Sequence, residues 1–297
     1  MTASIVLKAQ SVLDLHTGRS IPHIGFGTGG LGAGTEDAVK HAFKSGYRLV
    51  DSGQRYGNEA DVGRAIAASS VPRSELFVIT KYCPPFAPSD PILSAPEVLQ
   101  TVRDSLEKLF PKEQQANDET RYIDLMMIHH CWPNQEAREN AWEGLMLAKE
   151  EGLVKDIGVS NFGISHLERL PPPVPVVNQI EMHPFCQQRE VVAYCQARGI
   201  LISAYSPTAH FLEEKIGNPI IVKLCEKHKR TAGHILLRWS LQKGFIPIPR
   251  SSNPGRIEDN IDLFSFELTA DDMDAIDSLN EGAAGHITPV DPANLPE

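Results

Sequence analysis

The chain has no uninterrupted apolar run of about 18 residues, so no membrane-spanning helix is expected. Cysteine is scarce and odd in number: Cys83, Cys131, Cys186, Cys195 and Cys225, with no CxxC pair among the five. That argues against a disulfide framework and for reduced thiols. His129, His130 and Cys131 stand side by side, but neighbours on a strand point to opposite faces, and no spaced ligand motif accompanies them, so no metal is expected. Basic charge is in short supply, with 28 Lys and Arg against 38 Asp and Glu, a net charge of −10. Such a balance speaks against nucleic acid or an anionic membrane as partner. An anionic ligand would need a local basic pocket. The opening MTASIVLKAQ holds no long apolar segment, so no secretory signal and a cytoplasmic location are expected.

No internal repeat, low-complexity tract or linker divides the chain, and one domain over residues 1–297 is expected. Two small domains would also fit the length, but so does one large α/β barrel, which takes about 250 residues. Apolar and helical patterns alternate, as a parallel sheet with crossover helices requires. A hairpin is expected over residues 1–22 with Thr17 and Gly18 in its turn. Strands are expected at 24–27, 48–52, 76–81, 124–129, 154–160, within 171–182, at 201–207 and at 245–249. Helices are expected near 36–45, 59–69, 95–110, 136–151, 187–198 and 270–280. Ser165 with Glu168 reads as a capping box for a short helix, SHLERL, and Thr269 with Asp272 as another for the last helix. Asn218 with Pro219, and Thr231, read as further helix starts.

The stretch Gly46–Glu59, GYRLVDSGQRYGNE, organises the chemistry. It ends a strand on Asp51 and places Tyr56 one short loop away. Lys81 closes the strand FVITK and His129 closes IDLMMIH. Strand ends are where a barrel enzyme keeps its reacting groups. A phenol has an ordinary pKa of about 10, and a nearby cation lowers it. Lys81 is the candidate cation, Asp51 its holder, and His129 the group that orients a substrate oxygen. The set reads as a proton donor to a carbonyl or alcohol oxygen. Taken singly, Asp51 is also a turn former, Lys81 and Tyr56 are solvated side chains, and His129 is a core histidine.

These blocks resemble the aldo-keto reductase family. The resemblance rests on DSGQRYGNE (51–59), ITK (79–81), DLMMIH (124–129), GVSNF (158–162), NQIEMHP (178–184), AYSP (204–207) and IPRSSNPGRIEDN (248–260). It implies a (β/α)8 TIM barrel whose N-terminal hairpin caps the bottom, with eight strand–helix units. It implies an NAD(P)H-dependent reductase of aldehydes or ketones in which Tyr56, Lys81, Asp51 and His129 are catalytic. By resemblance Arg250, Ser251 and Arg256 hold an adenosine 2′-phosphate, so NADPH is expected ahead of NADH, and Asp259 and Asn260 meet the adenine. Ser160, Asn161 and Gln179 resemble a clamp on the nicotinamide amide, Tyr205 its stacking partner, and Ser206 a pyrophosphate contact. Thr28 and Asp51 approach the same cofactor.

Gly25-Phe26-Gly27-Thr28-Gly29-Gly30 also matches G-x-G-x-x-G, the dinucleotide fingerprint. A short-chain reductase would need Tyr-x-x-x-Lys, and no tyrosine here has a lysine four residues on. Relatives usually carry tryptophan where Gly29 stands, which predicts a wider pocket on that side. The loop after Tyr205 is shorter than the cofactor-covering loop of many relatives, which predicts weaker cofactor clamping. Pocket walls are expected from Tyr82, Cys83, Pro84, Phe86, His130, Trp132, His210 and Phe211, with a small carbonyl compound as partner and a monomer or weak homo-oligomer as the working state. HHCW at 129–132 leaves His130 as a second candidate for the catalytic histidine. The competing reading is a cofactor-binding regulatory or structural barrel with little turnover.

Overall fold

The computed structural model describes residues 8, 10–85, 90–114 and 118–290. A two-stranded antiparallel hairpin, β1 (Val12–Asp14) and β2 (Ser20–Pro22), comes first. Its turn carries Gly18 at φ 86°, in the left-handed region that glycine enters without a Cβ clash. The part of the expected hairpin before residue 8 lies outside the described residues.

Eight parallel strands follow in sequence order: β3 (Phe26–Gly27), β4 (Leu49–Asp51), β5 (Phe77–Tyr82), β6 (Ile123–Ile128), β7 (Val154–Ser160), β8 (Val177–Glu181), β9 (Leu201–Tyr205) and β10 (Ile246–Pro247). The ring closes at the seam between first and last. There Gly25 N–H donates to Pro247 O at 3.0 Å and Gly27 N–H to Pro249 O at 2.9 Å. A Cβ on Gly25 would stand 2.2 Å from Leu49 Cδ2 and 2.6 Å from Ile248 Cδ1, so a larger residue there would push these side chains aside. The fingerprint-like glycines 25 and 27 lie on the first strand of the barrel, at its closing seam, and the Rossmann reading of this stretch falls.

Two apolar layers explain the strand sequences. Inward-facing Leu49, Phe77, Ile79, Leu125, Met127, Val177 and Ile246 fill the barrel, and Leu15 and Ile21 of the hairpin plug its bottom. The alternate residues Val50, Val78, Met126, Ile128, Val159 and Ile202 face the surrounding helices. The main helices are α1 (Thr35–Lys44), α2 (Glu59–Ala67), α3 (Ala95–Leu109), α4 (Gln135–Glu150), α5 (Ile164–Arg169), α6 (Arg189–Gln196), α7 (Glu213–Ile216), α8 (Pro219–His228), α9 (Ala232–Gln242), α10 (Pro254–Asp259) and α11 (Ala270–Asp277). Among the described residues, no helix is long and apolar enough to cross a membrane.

Asn218 and Thr231 cap α8 and α9 through their side chains, and Thr269 with Asp272 boxes the start of α11. The box expected from Ser165 and Glu168 does not form. Helix α5 starts earlier, at Ile164, so Ser165 is already inside it, and His166 Nδ1 accepts from Gly163 N–H at 3.2 Å instead. Helix α7 had no counterpart in the sequence reading. At the barrel bottom the buried Asp124 accepts from Arg19 and Arg73, each at 2.7 Å, joining the hairpin to the strand ring.

Candidate active site

Strand ends of β4 to β9 converge on one mouth. A cavity of about 990 Å³ opens there, and Asp51, Tyr56, His129, Ser160, Asn161, Gln179 and Tyr205 all line it. Parallel strands bring their C-terminal ends to one face, so residues scattered from 51 to 205 meet.

Asp51 ends β4. The chain then makes a single turn, Gln54–Tyr56, which carries the phenol into the cavity. Gln54 turns the other way and fixes the turn: its Nε2 donates to Thr101 O and Ser105 Oγ, both at 3.1 Å, on α3, and its Oε1 accepts from Cys83 N–H at 3.1 Å. Asn58 ties the same segment to the first loop, accepting from Ser52 Oγ at 3.0 Å and donating to Thr28 O at 2.9 Å. Thr28 is buried, and both its N–H and Oγ1 donate to Asp51 O at 3.0 Å. It supports the end of β4 rather than lining the cavity.

Lys81 is wholly buried on β5. Its ammonium donates to Asp51 Oδ1 at 2.6 Å and to Ser52 O at 2.7 Å, and it sits 5.2 Å from the centre of the Tyr56 ring. Burial pulls an ammonium toward neutrality, but the charge of Asp51, with Tyr56 and the hydrogen bonds to both, together outweighs it, and Lys81 ends above its ordinary pKa. Gln179 Nε2 donates to the other carboxylate oxygen, Asp51 Oδ2, at 2.9 Å. Each oxygen of the Asp51 carboxylate thus accepts from a buried donor.

Tyr56 departs from the expectation. Burial pushes its phenol above the ordinary value; Lys81 pulls the other way without reversing the shift. The reason is that the phenol has lost more water than one already-paired ammonium replaces. Its oxygen lies 3.4 Å from His129 Nε2, and the two rings meet edge to face at 86°. Burial, then the charge of Lys81, holds His129 well below its ordinary pKa, so the imidazole is neutral at pH 7. His130 is likewise lowered, to about 4, chiefly by burial. His130 lines the cavity too, but its ring packs edge-on against Trp132 at 4.6 Å rather than toward the phenol.

The remaining expectations divide. Trp132, His210 and Phe211 line the cavity. Tyr82 does not. It follows Lys81 on β5 and faces the opposite way, into the layer between sheet and helices. Cys83 and Pro84 are also absent from the lining, and Phe86 lies outside the described residues. Ser206, Arg250, Ser251 and Arg256 also line the cavity. There Arg256 Nε donates to Ser251 Oγ at 3.3 Å, Arg250 reaches the Gly29 carbonyl, and Asn253 Oδ1 caps α10 by accepting from Arg256 N–H at 3.1 Å. Asp259 and Asn260, further along, are outside the lining.

The donor set fits an anionic dinucleotide. Arg250, Arg256 and Ser251 gather at the cavity wall in a chain of net charge −10. Hydroxyl and amide groups of Ser160, Asn161 and Gln179 line the same cavity. Tyr205 donates to Asn161 Oδ1 at 3.0 Å, which fixes its ring at the cavity wall.

Two features were not seen in the sequence. Arg55, beside Tyr56 in the turn, lines the cavity. Glu181, fully buried at the end of β8, holds residues 286–288: its carboxylate accepts from Ile287 N–H at 2.8 Å, Thr288 N–H at 3.2 Å, His286 Nδ1 at 3.2 Å, and the Thr288 hydroxyl. His183 Nε2 adds a contact at 3.0 Å. These hydrogen bonds overcome the burial and hold Glu181 far below the ordinary carboxylate range. The latch sets Thr288, Pro289 and Val290 in the cavity wall. Glu181 lies within NQIEMHP, but nothing local in the sequence marks it or its partners.

The family model for the Aldo/keto reductase family matches residues 23–281. An aldo-keto reductase of Mycolicibacterium vanbaalenii is 44% identical over 274 residues, covering 90% of this chain and 91% of that protein. A glyoxal reductase of Bacillus subtilis is 36% identical over 277 residues, covering 92% and 94%. Among solved structures, an aldo-keto reductase of Bombyx mori in complex with NADP superposes with a TM-score of 0.82 at 33% identity, covering 98% of this chain and 99% of that one.

Proposed function

The chain belongs to the aldo/keto reductase family and is an oxidoreductase, and from that premise we propose that it reduces a small aldehyde or ketone, α-dicarbonyls among them, to the alcohol with NADPH. One observation carries the proposal: a buried lysine, bonded to Asp51 at 2.6 Å, stands behind a phenol that itself lies 3.4 Å from a neutral histidine at the cavity wall.

NADPH, when bound, supplies the hydride that adds to the carbonyl carbon. Arg250, Ser251 and Arg256 hold its 2′-phosphate through charge-assisted hydrogen bonds. Ser160, Asn161 and Gln179 hold the carboxamide, and Tyr205 gives the ring a flat wall. Tyr56 keeps its proton in the resting site and donates it to the substrate oxygen as negative charge develops there. An alkoxide is far more basic than a phenolate, so the transfer runs downhill even from a phenol with a raised pKa. Lys81, kept charged by Asp51, stabilises the phenolate that remains. Neutral His129 donates from Nε2 and fixes the carbonyl beside the phenol.

The glyoxal reductase relative supports the α-dicarbonyl class, and the NADP-bound relative supports the cofactor. Loss of NADPH absorbance on adding aldehydes, ketones or α-dicarbonyls tests the proposal. Cofactor binding with no carbonyl-dependent loss would favour the regulatory barrel.

A further inference from the structure

We propose that Arg55 binds a carboxylate on the substrate, so that the carbonyl compounds this site prefers carry an acid group. The assignment rests on the carbonyl-reductase function proposed above and narrows its substrate class.

Arg55 directly precedes Tyr56 and lines the same cavity. Its backbone is held, because Gln54 pins the turn to α3 and to Cys83. A group recognised by Arg55 is thereby placed at a set offset from the phenol. The arginines of the cavity wall act on different neighbours: the charge of Arg55 bears on Tyr56, His129 and His130, whereas that of Arg250 bears on His210, and Arg250 itself reaches the Gly29 carbonyl. Asp51, the one carboxylate among the described lining residues, is bonded to Lys81 and Gln179. Arg55 is the cation that lines the cavity together with Tyr56, His130 and Trp132. His129 and His130 are held neutral there, with burial as the main cause and Arg55 contributing to both. Neither imidazole can therefore serve as the cation.

A guanidinium suits a carboxylate in shape as well as charge, offering two parallel N–H donors to its two oxygens. Arg55 is exposed, so it keeps part of its hydration and the desolvation cost of binding a carboxylate is modest. With a chain charge of −10, an acidic substrate gains nothing from the overall field. Its recognition has to come from a local cation. The edge-to-face pair of His130 and Trp132 supplies an apolar wall beside it.

The test compares kcat/KM for two acid and ester pairs: para-carboxybenzaldehyde with methyl para-formylbenzoate, and succinic semialdehyde with its methyl ester. Within each pair the carbonyl is retained and only the charge is removed. In Arg55→Leu the acid-to-ester ratio is expected to fall about tenfold or more in at least one pair, the size of a charged hydrogen bond. Arg55→Lys is expected to keep part of the preference, and added salt to lower the ratio in the wild type but not in the leucine variant. An unchanged ratio in both pairs overturns the assignment and leaves carbonyl reduction standing. Failure of the wild-type protein to reduce either acid or ester overturns the functional reading, and the assignment with it.

Discussion

Lys81 donates to Asp51 at 2.6 Å from a position that water does not reach. Two charges removed from solvent tolerate each other's presence far better than either tolerates the other's loss. Lys81→Met should therefore cost about 3–5 kcal/mol in denaturant unfolding, by leaving a buried carboxylate without its cation. Adding Asp51→Asn to that variant should recover much of the stability and none of the turnover. Additive losses of stability would show that the two charges are not coupled.

Tyr56→Phe removes the proton and leaves the ring. Turnover should fall by several orders of magnitude, while NADPH affinity, measured by fluorescence titration, stays close to that of the wild type. Retained turnover would take Tyr56 out of the role of acid.

The raised phenol pKa sets the sign of the pH dependence. Reduction needs Tyr56 protonated, and a phenol above its ordinary value of about 10 stays protonated to high pH. The single-turnover rate of reduction should therefore be flat from about pH 6 to 9. The reverse reaction needs the phenolate, so alcohol oxidation should climb about tenfold per pH unit over the same range. A plateau in oxidation near pH 7 would place the phenol's pKa far below where burial sets it.

Glu181→Gln should release the segment it latches. An amide accepts fewer hydrogen bonds and brings donors that face His183 and the backbone N–H groups of 287 and 288. Amide exchange at Ile287 and Thr288 should speed up by at least tenfold, and KM should rise more than kcat falls, since the cavity wall loosens while Tyr56 and Lys81 stay in place. Unchanged exchange at both amides would show that the carboxylate does not hold the segment.

Gly29 faces the phenol so closely that a Cβ there would lie 3.1–3.3 Å from the Tyr56 ring. Gly29→Ala should therefore shift the ring and lower kcat with little change in NADPH affinity. An alanine variant with full activity would mean that the ring has room to give.

Much of this arrangement is legible in order along the chain. Asp51, Lys81 and His129 could be read because strand ends converge, and Asn218, Thr231 and Thr269 because a helix cap is a local hydrogen bond. Strand β7 has the bounds its apolar run suggests, 154–160. Tyr82 was misplaced for the opposite reason: a strand alternates, and Lys81 had already claimed the inward direction. Glu181 was missed, since its donors come from 286–288, more than a hundred residues on. Arg55 escaped notice because its direction depends on Gln54, whose partners sit on α3. The pKa of Tyr56 was beyond the sequence altogether, because it balances lost hydration against a charge, and only packing fixes the first.

The seam at Gly25 and Gly27 carries a consequence for how the protein is made. Until residues 247–249 have left the ribosome, β3 has no partner on its outer side, and the growing sheet presents bare N–H and C=O groups to any other chain nearby. The last strand to be synthesised is the one that turns an open, adhesive ribbon into a ring without edges.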